Sequence, residues 1–529
     1  MRASARFLAR LAVAPLAAAS LYACTVGPDF VKPDPALPSR SFLGKPEPPI
    51  IGEPPPPSLD AKWWRQFHDP ILASLVERVC EANLDVQIAT TRLQESRAQR
   101  NSAASALFPG INSSAQYQRE LYSSNGVFSL GKQFLSATGS TAANEPLSIP
   151  PVSVWQVGFD ASWELDLWGR VRRSVEAAQA QVESLEFQRR DTLISTIAEL
   201  ARDYADLRGA EAQIAIAKAN LASAEDIARL TRTRANGGVA TYLDVENAQA
   251  QAESVRAQLP TLINQQSAMI DAIGQLLDEQ PQALRGALAH TGPMLFTPPH
   301  APLGVASDLA RRRPDIRRTE ASLHAAVANI GEAIGEFYPR VTLNGNVEMN
   351  ALDARKLFEG KSLQYQFGPT VSLPIFDGGR LKSQLQLRDA QAQEAAITYH
   401  KTVLSAWTEV VDSLVAYRTE QARRARLHAQ AAHQREALKL ARARYENGVA
   451  DFILVLDAER TLLQAELQEA QSATLVAENF VRLYKALGGG WEETFPVPPP
   501  LPTPLPDLTP PPSEIVAPTP LPMAQEDSR

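Results

Sequence analysis

Two stretches of the chain alternate between apolar and polar residues. In residues 155–165 the odd positions are Trp155, Val157, Phe159, Ala161, Trp163 and Leu165, and the even ones are Gln156, Gly158, Asp160, Ser162 and Glu164. Residues 364–374 repeat this, with Tyr365, Phe367, Val371 and Leu373 against Gln364, Gln366, Thr370 and Ser372. Weaker partners precede them; the second sets Val341, Leu343, Val347 and Met349 against Thr342, Asn344, Asn346, Glu348 and Asn350. A period of two places every other side chain on one face of a strand. Four strands are predicted, at about 111–121, 154–165, 341–350 and 364–374.

A strand apolar on one face also suits a soluble core. Two features favour a membrane barrel instead: the length matches a tilted span of about 9 to 11 residues, and aromatic residues sit at the ends of the apolar face. Four strands cannot close, since barrels need about eight or more. Other copies of the chain must satisfy the edges, so an oligomer is required.

Between the strands the apolar spacing changes to alternating steps of four and three. Leu193, Ile197, Leu200, Tyr204 and Leu207 follow it in one stretch, and Leu404, Trp407, Val411 and Leu414 in another. Arg170 to Asn236 and Arg380 to Asn447 contain no proline over 67 and 68 residues, so each predicts a helix on the order of 100 Å long. Both carry charges throughout and are not membrane spans; the spacing is that of a coiled-coil seam. Glycine signals at 236–238 and 447–448 reverse the chain into descending helices, about 242–277 and 452–487.

The body is a duplication. G-V-A-T-Y-L-D-V-E-N-A around Gly238 returns 210 positions later as G-V-A-D-F-I-L-V-L-D-A around Gly448, and the same offset aligns Gly169-Arg170-Val171-Arg172 with Gly379-Arg380-Leu381-Lys382. Asp85 and Pro109 match Asp315 and Pro339 at an offset of 230, which leaves 20 extra residues between the proline and the glycine of the first unit. One helix-strand-strand-helix unit therefore occurs twice. The expected repeats are 63–290 and 291–490.

Composition adds the ends. Of 40 prolines, 11 fall in residues 28–57 and 13 in residues 496–522, which marks a proline-rich N-terminal segment, 24–62, and a proline-rich tail, 491–529. Arg2, Arg6 and Arg10 precede an apolar run from Leu11 to Leu21, as in a signal peptide covering 1–23. Leu21-Tyr22-Ala23-Cys24 resembles the lipobox of bacterial lipoproteins, which would make Cys24 an acylated first residue. Thr25 follows where an Asp would resemble an inner-membrane retention signal, so outer-membrane delivery is expected. Removing residues 1–23 takes the formal charge from −7 to −10. That charge, with no Lys/Arg and aromatic cluster, argues against nucleic acid as a partner.

No catalytic, metal or cofactor motif is visible. The seven histidines, at 68, 290, 300, 324, 400, 428 and 433, show no ligand spacing, and no phosphate-binding glycine loop or nucleophile elbow occurs. His428 and His433 read as solvated surface, Gly378-Gly379 as a tight strand-to-helix transition, and Cys80 as a small buried residue. The chain is not expected to be an enzyme.

Five motifs in order resemble the TolC-like outer-membrane efflux proteins, and within them the NodT-type lipoproteins. They are Cys24-Thr25-Val26-Gly27-Pro28-Asp29-Phe30; Trp63-Trp64 to Phe67 with Asp69-Pro70; Trp163 to Arg170; Arg312-Arg313-Pro314-Asp315-Ile316-Arg317; and Phe376-Asp377-Gly378-Gly379-Arg380. The resemblance implies a mainly α protein with a membrane β-barrel: a homotrimer whose 12-stranded barrel continues as a long α-helical periplasmic tunnel. It also implies the exit duct of a tripartite pump, with a periplasmic adaptor and an inner-membrane RND-type transporter as partners and outer-membrane lipid around it. A non-conducting coiled-coil spacer between outer membrane and cell wall is the alternative from another class, and a protein-secretion duct shares the fold. Five methionines provide no methionine-lined path for copper.

The resemblance assigns roles near the helix reversals. Gly238, Val239, Gly448 and Val449 fall at the periplasmic tip, where the family meets its adaptor; plain turn chemistry explains the glycines but not the valines beside them. Asp457 matches a gate aspartate and Ile453 an apolar constriction, while Leu454 replaces an acid found in some relatives. Four residues apart, Ile453 and Asp457 share a helix face, and threefold symmetry makes each a ring. Asp244 and Tyr445 match a pair that latches neighbouring helices, although Ala450 stands where some relatives place a latch arginine.

Overall fold

The computed structural model describes residues 25–34, 61–121, 150–288, 292–298 and 312–490. The signal peptide, Cys24, most of the N-terminal proline-rich segment and the C-terminal tail lie outside the described residues.

Asp69 opens the helical body. Its carboxylate accepts from the Ile71 and Leu72 N–H groups, with Pro70 at the first helical position of α1 (Pro70–Ala82). Asn83 ends α1 and caps α2 (Leu84–Ser105) in the same way. The first repeat continues through strands β1 (Gly110–Glu120) and β2 (Val152–Leu165), helix α3 (Arg170–Asn236) and helix α4 (Tyr242–Leu276). The second runs through α5 (Pro314–Gly335), β3 (Arg340–Ala351), β4 (Leu363–Ser372), α6 (Arg380–Glu446) and α7 (Phe452–Ala486). The duplication is visible in the lengths: α3 and α6 have 67 residues each, and α4 and α7 have 35. The connection 121–151 between β1 and β2 is longer than its counterpart 352–362, and 122–149 lie outside the described residues.

All four strands form one antiparallel sheet in the order β1-β2-β3-β4. The register pairs odd positions with odd: Tyr117 with Trp155, Phe159 with Val347, Val347 with Tyr365. One face is therefore mainly apolar across β2, β3 and β4, with Ser113 and Arg119 of β1 interrupting it at the edge, and Phe159, Tyr365, Phe367 and Val371 on it are exposed. The other is a ladder of amides and hydroxyls. Asn112 donates to Asp160, Ser162 to Asn344, and Asn344 in turn to Thr370; Glu348 accepts from Gln156 and Gln364 on either side. Pro369 sits in β4, which has one partner strand among the described residues, the position in a sheet where proline is tolerated.

The strand-to-helix transitions use one device twice. Gly169 and Gly379 take left-handed backbone conformations, φ 81° and 91°. Asp166 accepts from the Val171 and Arg172 N–H groups at the start of α3, and Asp377 from those of Gly379 and Leu381 at the start of α6. The Leu381 N–H leads in holding the Asp377 carboxyl below the usual carboxylate range. Arg170 completes the first joint with a bidentate pair to Glu164, at 3.1 and 2.8 Å.

Residues 25–34 lie along this joint. The Val26 N–H bonds the Trp168 carbonyl at 3.0 Å, Arg173 reaches Asp29 at 2.5 Å, Phe30 stacks on His324, and Lys32 pairs with Glu320. Gly27 packs so closely that an added Cβ would overlap Gly331.

The main core is equatorial. Trp63, Trp64 and Phe67 pack with Tyr204, Tyr417, Phe480 and Tyr484 between α1, α3, α6 and α7. The expected seam of α3, Leu193 to Leu207, is fully buried there. The expected seam of α6 needs correction. Val403, Ala406, Val410, Ser413 and Tyr417 are the buried series; Leu404 is exposed, Trp407 and Val411 are half-buried, and only Leu414 is buried as read. The reason is position: α6 packs mainly on α5 and α7, and the face that carries Leu404 points away from both. Among the described residues no helix is long and apolar enough to cross a membrane.

Candidate functional site

The two helix reversals end the molecule opposite the sheet. Gly238 and Gly448 take φ 76° and 73°, the left-handed conformation that lets a helix stop. In each turn the valine N–H folds back on the helix, Val239 to the Arg234 carbonyl and Val449 to that of Arg444, both at 2.9 Å. The valine side chains remain 68% and 67% exposed. Among the described residues nothing covers them.

Behind the turns a small apolar core joins the hairpins. Ile227 and Ala248 of the α3/α4 pair meet Leu438, Tyr445, Phe452, Val455, Leu456 and Leu462 of the α6/α7 pair. Tyr445 is 5% exposed and lies edge-on to Phe452.

Asp244 and Tyr445 are not paired within the chain. The Asp244 carboxylate accepts from the Thr241 N–H at 3.0 Å and hydroxyl at 2.8 Å, while the Asp244 N–H donates to Thr241 Oγ1, a reciprocal cap at the start of α4. Tyr445 instead carries the Arg234 guanidinium over its ring, 4.7 Å from the centroid, and its hydroxyl is buried without a hydrogen-bond partner.

Ile453 and Asp457 stand where their spacing puts them, on one exposed face of α7, with Ile453 61% exposed. Arg460 and Gln464 extend that stripe, and the next heptads bring it to Gln471 and Glu478. There a hollow of about 450 Å³ opens between α3, α4 and α7, lined by Asp206, Gln213, Met269, Gln471, Leu475 and Glu478. Burial, then a hydrogen bond with Asp206, pushes the Glu478 carboxyl up to about 8; Arg202 opposes this. Near the tip, burial also raises the Glu459 carboxyl, partly offset by the Ser223 hydroxyl that donates to it.

Sequence reasoning missed three further groups. Arg208 is fully buried between Tyr204 and Glu211, and the Tyr204 hydroxyl donates to Asp69 at 2.8 Å, which ties the Asp-Pro motif to α3. Arg313 binds Asp315, Glu409 and the Ala486 carbonyl, so the Arg-Arg-Pro-Asp motif fastens the start of α5 to the end of α7. Both are structural clamps. Arg234 is the third, and it lies at the tip.

Cys80 is half-buried, and burial, followed by Glu81 and Glu77, pushes its thiol up to about 11, away from nucleophilic thiolate. His428 bonds Glu469 at 2.6 Å, and His433 is exposed. Among the described residues no three metal-ligating side chains cluster.

A family model described as outer membrane efflux protein matches residues 75–277 and 305–489. Outer membrane protein OprJ of Pseudomonas aeruginosa is 32% identical over 482 residues, covering 90% of this chain and 95% of its own length. Nodulation protein T of Rhizobium leguminosarum bv. viciae is 29% identical over 482 residues, covering 89% and 92%. Among solved structures, the outer-membrane channel OprN aligns with a TM-score of 0.79 at 32% identity, over 88% of this chain and 100% of that one. With both repeats matched, and the sheet and long helices in the arrangement of the TolC-like channels, this chain belongs to the outer membrane efflux protein family.

Proposed function

We propose that three copies of this chain form one passive duct, a 12-stranded outer-membrane barrel continued by a helical tunnel in the periplasm. The sheet carries this reading. Its apolar face is open, its opposite face is a polar ladder suited to a water-filled lumen, and neither β1 nor β4 has a second partner strand among the described residues. Leu404, exposed on α6, suits the same assembly. A spacer needs no sheet of this kind.

The duct is the exit of a tripartite pump. An inner-membrane RND-type transporter supplies the energy, and a periplasmic adaptor docks on Gly238, Val239, Gly448 and Val449. The cargo is small molecules. At the tip, Ile453 and Asp457 form stacked rings of three around the axis, an apolar constriction above carboxylates that repel one another unless protons or cations bind. Asp244 and Tyr445 face each other only if the tip repacks or a neighbouring chain contributes.

Cys24 carries the lipid. Thr25, the residue after it, lies directly against Gly169 close to the end of β2, which is compatible with a lipid anchor near the strands. Mass spectrometry of the mature N-terminus is expected to give acylated Cys24; an unmodified or uncleaved residue overturns this.

The duct itself is tested with purified protein in a planar bilayer. Discrete ion-conducting steps, from a species that cross-links to three chains, are expected. A monomer, or a trimer that never conducts, refutes the proposal.

A further inference from the structure

Close to the turns, the two hairpins of one chain are joined by few polar bonds. Asn220 donates to Glu466 at 2.9 Å, Ser223 to Glu459 at 3.1 Å, and Arg460 to Gln251 at 2.8 Å. Arg234 is the one nearest the turns. From the last turn of α3 it crosses to the end of α6, where Nη1 donates to the Glu446 carbonyl at 2.9 Å while the guanidinium covers the Tyr445 ring. That carbonyl belongs to the last turn of α6, where the helix dipole is negative and a cation is held best. The same guanidinium also lies 3.9 Å from where a side chain on Gly448 would begin.

The packing around this contact is incompletely satisfied. Arg234 Nε, the Tyr445 hydroxyl and the Thr231 hydroxyl are all buried without a hydrogen-bond partner in this structure. Thr231 lies one turn before Arg234 on the same face of α3, and its side chain is fully buried. Buried polar groups without partners oppose the packed state, because water would satisfy them if the hairpins parted. A strong local contact thus closes a joint that the surrounding polar atoms favour opening.

We propose that Arg234 is a positioning residue of the periplasmic tip, a brace between the two hairpins of one chain that fixes Tyr445 and sets how readily the tips separate. Its conductance consequence rests on the duct reading above; its structural consequence does not. The contact is specific in geometry, since a fork is needed to hold a carbonyl and cover a ring at once. Arg232, two residues earlier, carries the same charge at an exposed position and serves as the control.

Two measurements test the brace in the full-length protein. Amide hydrogen exchange at residues 235–239 and 445–449 is expected to quicken at least tenfold in Arg234→Ala and to stay at the wild-type rate in Arg232→Ala. In planar bilayers, Arg234→Ala is expected to raise conductance or open time at least twofold, with Arg234→Lys intermediate and Arg232→Ala unchanged. Arg234→Ala is expected to add little in a Tyr445→Leu background, because both substitutions dismantle one contact. Equal effects of Arg232→Ala and Arg234→Ala would reduce the role to bulk charge and overturn the proposal. Unchanged exchange in Arg234→Ala overturns it too. A wild-type protein that never conducts refutes the duct but leaves the exchange test standing.

Discussion

Replacing Glu478 by glutamine is expected to abolish a pH dependence of stability in the helical body. The carboxyl lies half-buried against Asp206, and its pKa rises from 4.5 to about 8 through burial first and the shared hydrogen bond second. The unfolded chain gives up this proton near 4.5 and the folded chain near 8, so between those values the folded state holds one proton more. The contribution is fully present below about 4.5, and it is lost as the pH rises to about 8. The gap of about 3.5 units corresponds to about 4.8 kcal/mol at 1.36 kcal/mol per unit. Solvent reaches the hollow, so about 1 to 2 kcal/mol is the usable figure after screening. Glutamine keeps a donor toward Asp206 and removes the titration. Urea unfolding followed by circular dichroism at pH 5, 7 and 9 is the assay; at roughly 2 kcal/mol per molar, the variant is expected to gain roughly 0.5 M in midpoint at pH 9 and little at pH 5. A midpoint difference that is the same at pH 5 and pH 9 would refute the reasoning.

Three further outcomes are expected. Val449→Asp abolishes export in a drug-susceptibility assay while leaving cross-linked trimer and membrane insertion intact, because it charges an exposed apolar tip without touching the core; continued export removes the tip from docking. Asp457→Ala weakens block by multivalent cations added from the periplasmic side of a planar bilayer, and unchanged block moves the gate elsewhere. Gly27→Val forces a side chain into the Gly331 backbone at a left-handed φ, so it lifts residues 25–34 off the strand-to-helix joint at a cost of about 2 kcal/mol or more; limited proteolysis in this segment reports it, and wild-type resistance contradicts it.

The parts of the fold set by periodicity were legible in the sequence. Alternation gave the four strands, absence of proline gave the 67-residue helices, and the Gly238 and Gly448 signals gave the reversals. The α6 seam was misread by one position because Leu404, Trp407 and Val411 follow the heptad as well as the buried series does, and only the neighbours decide which face is covered. Thr241-Tyr-Leu-Asp244 is a capping-box pattern legible in the sequence, and Asp244 forms that cap within the chain. Arg234 over Tyr445 and Arg313 on the Ala486 carbonyl join residues far apart in the chain, and no local pattern announces such contacts. The pairing of Asp206 with Glu478 belongs with them.

The sheet has a consequence for inheritance. Its two outer strands come from opposite halves of the chain and have no second partner among the described residues, so in the three-chain barrel proposed above a chain with a spoiled β1 would also leave a neighbour's β4 bare. Where sound and spoiled copies are made in equal amounts and mix freely, only about an eighth of three-chain ducts contain no spoiled member. Mutations in β1 or β4 that still permit assembly are therefore expected to behave as dominant, whereas those that prevent the chain from folding at all are expected to be recessive.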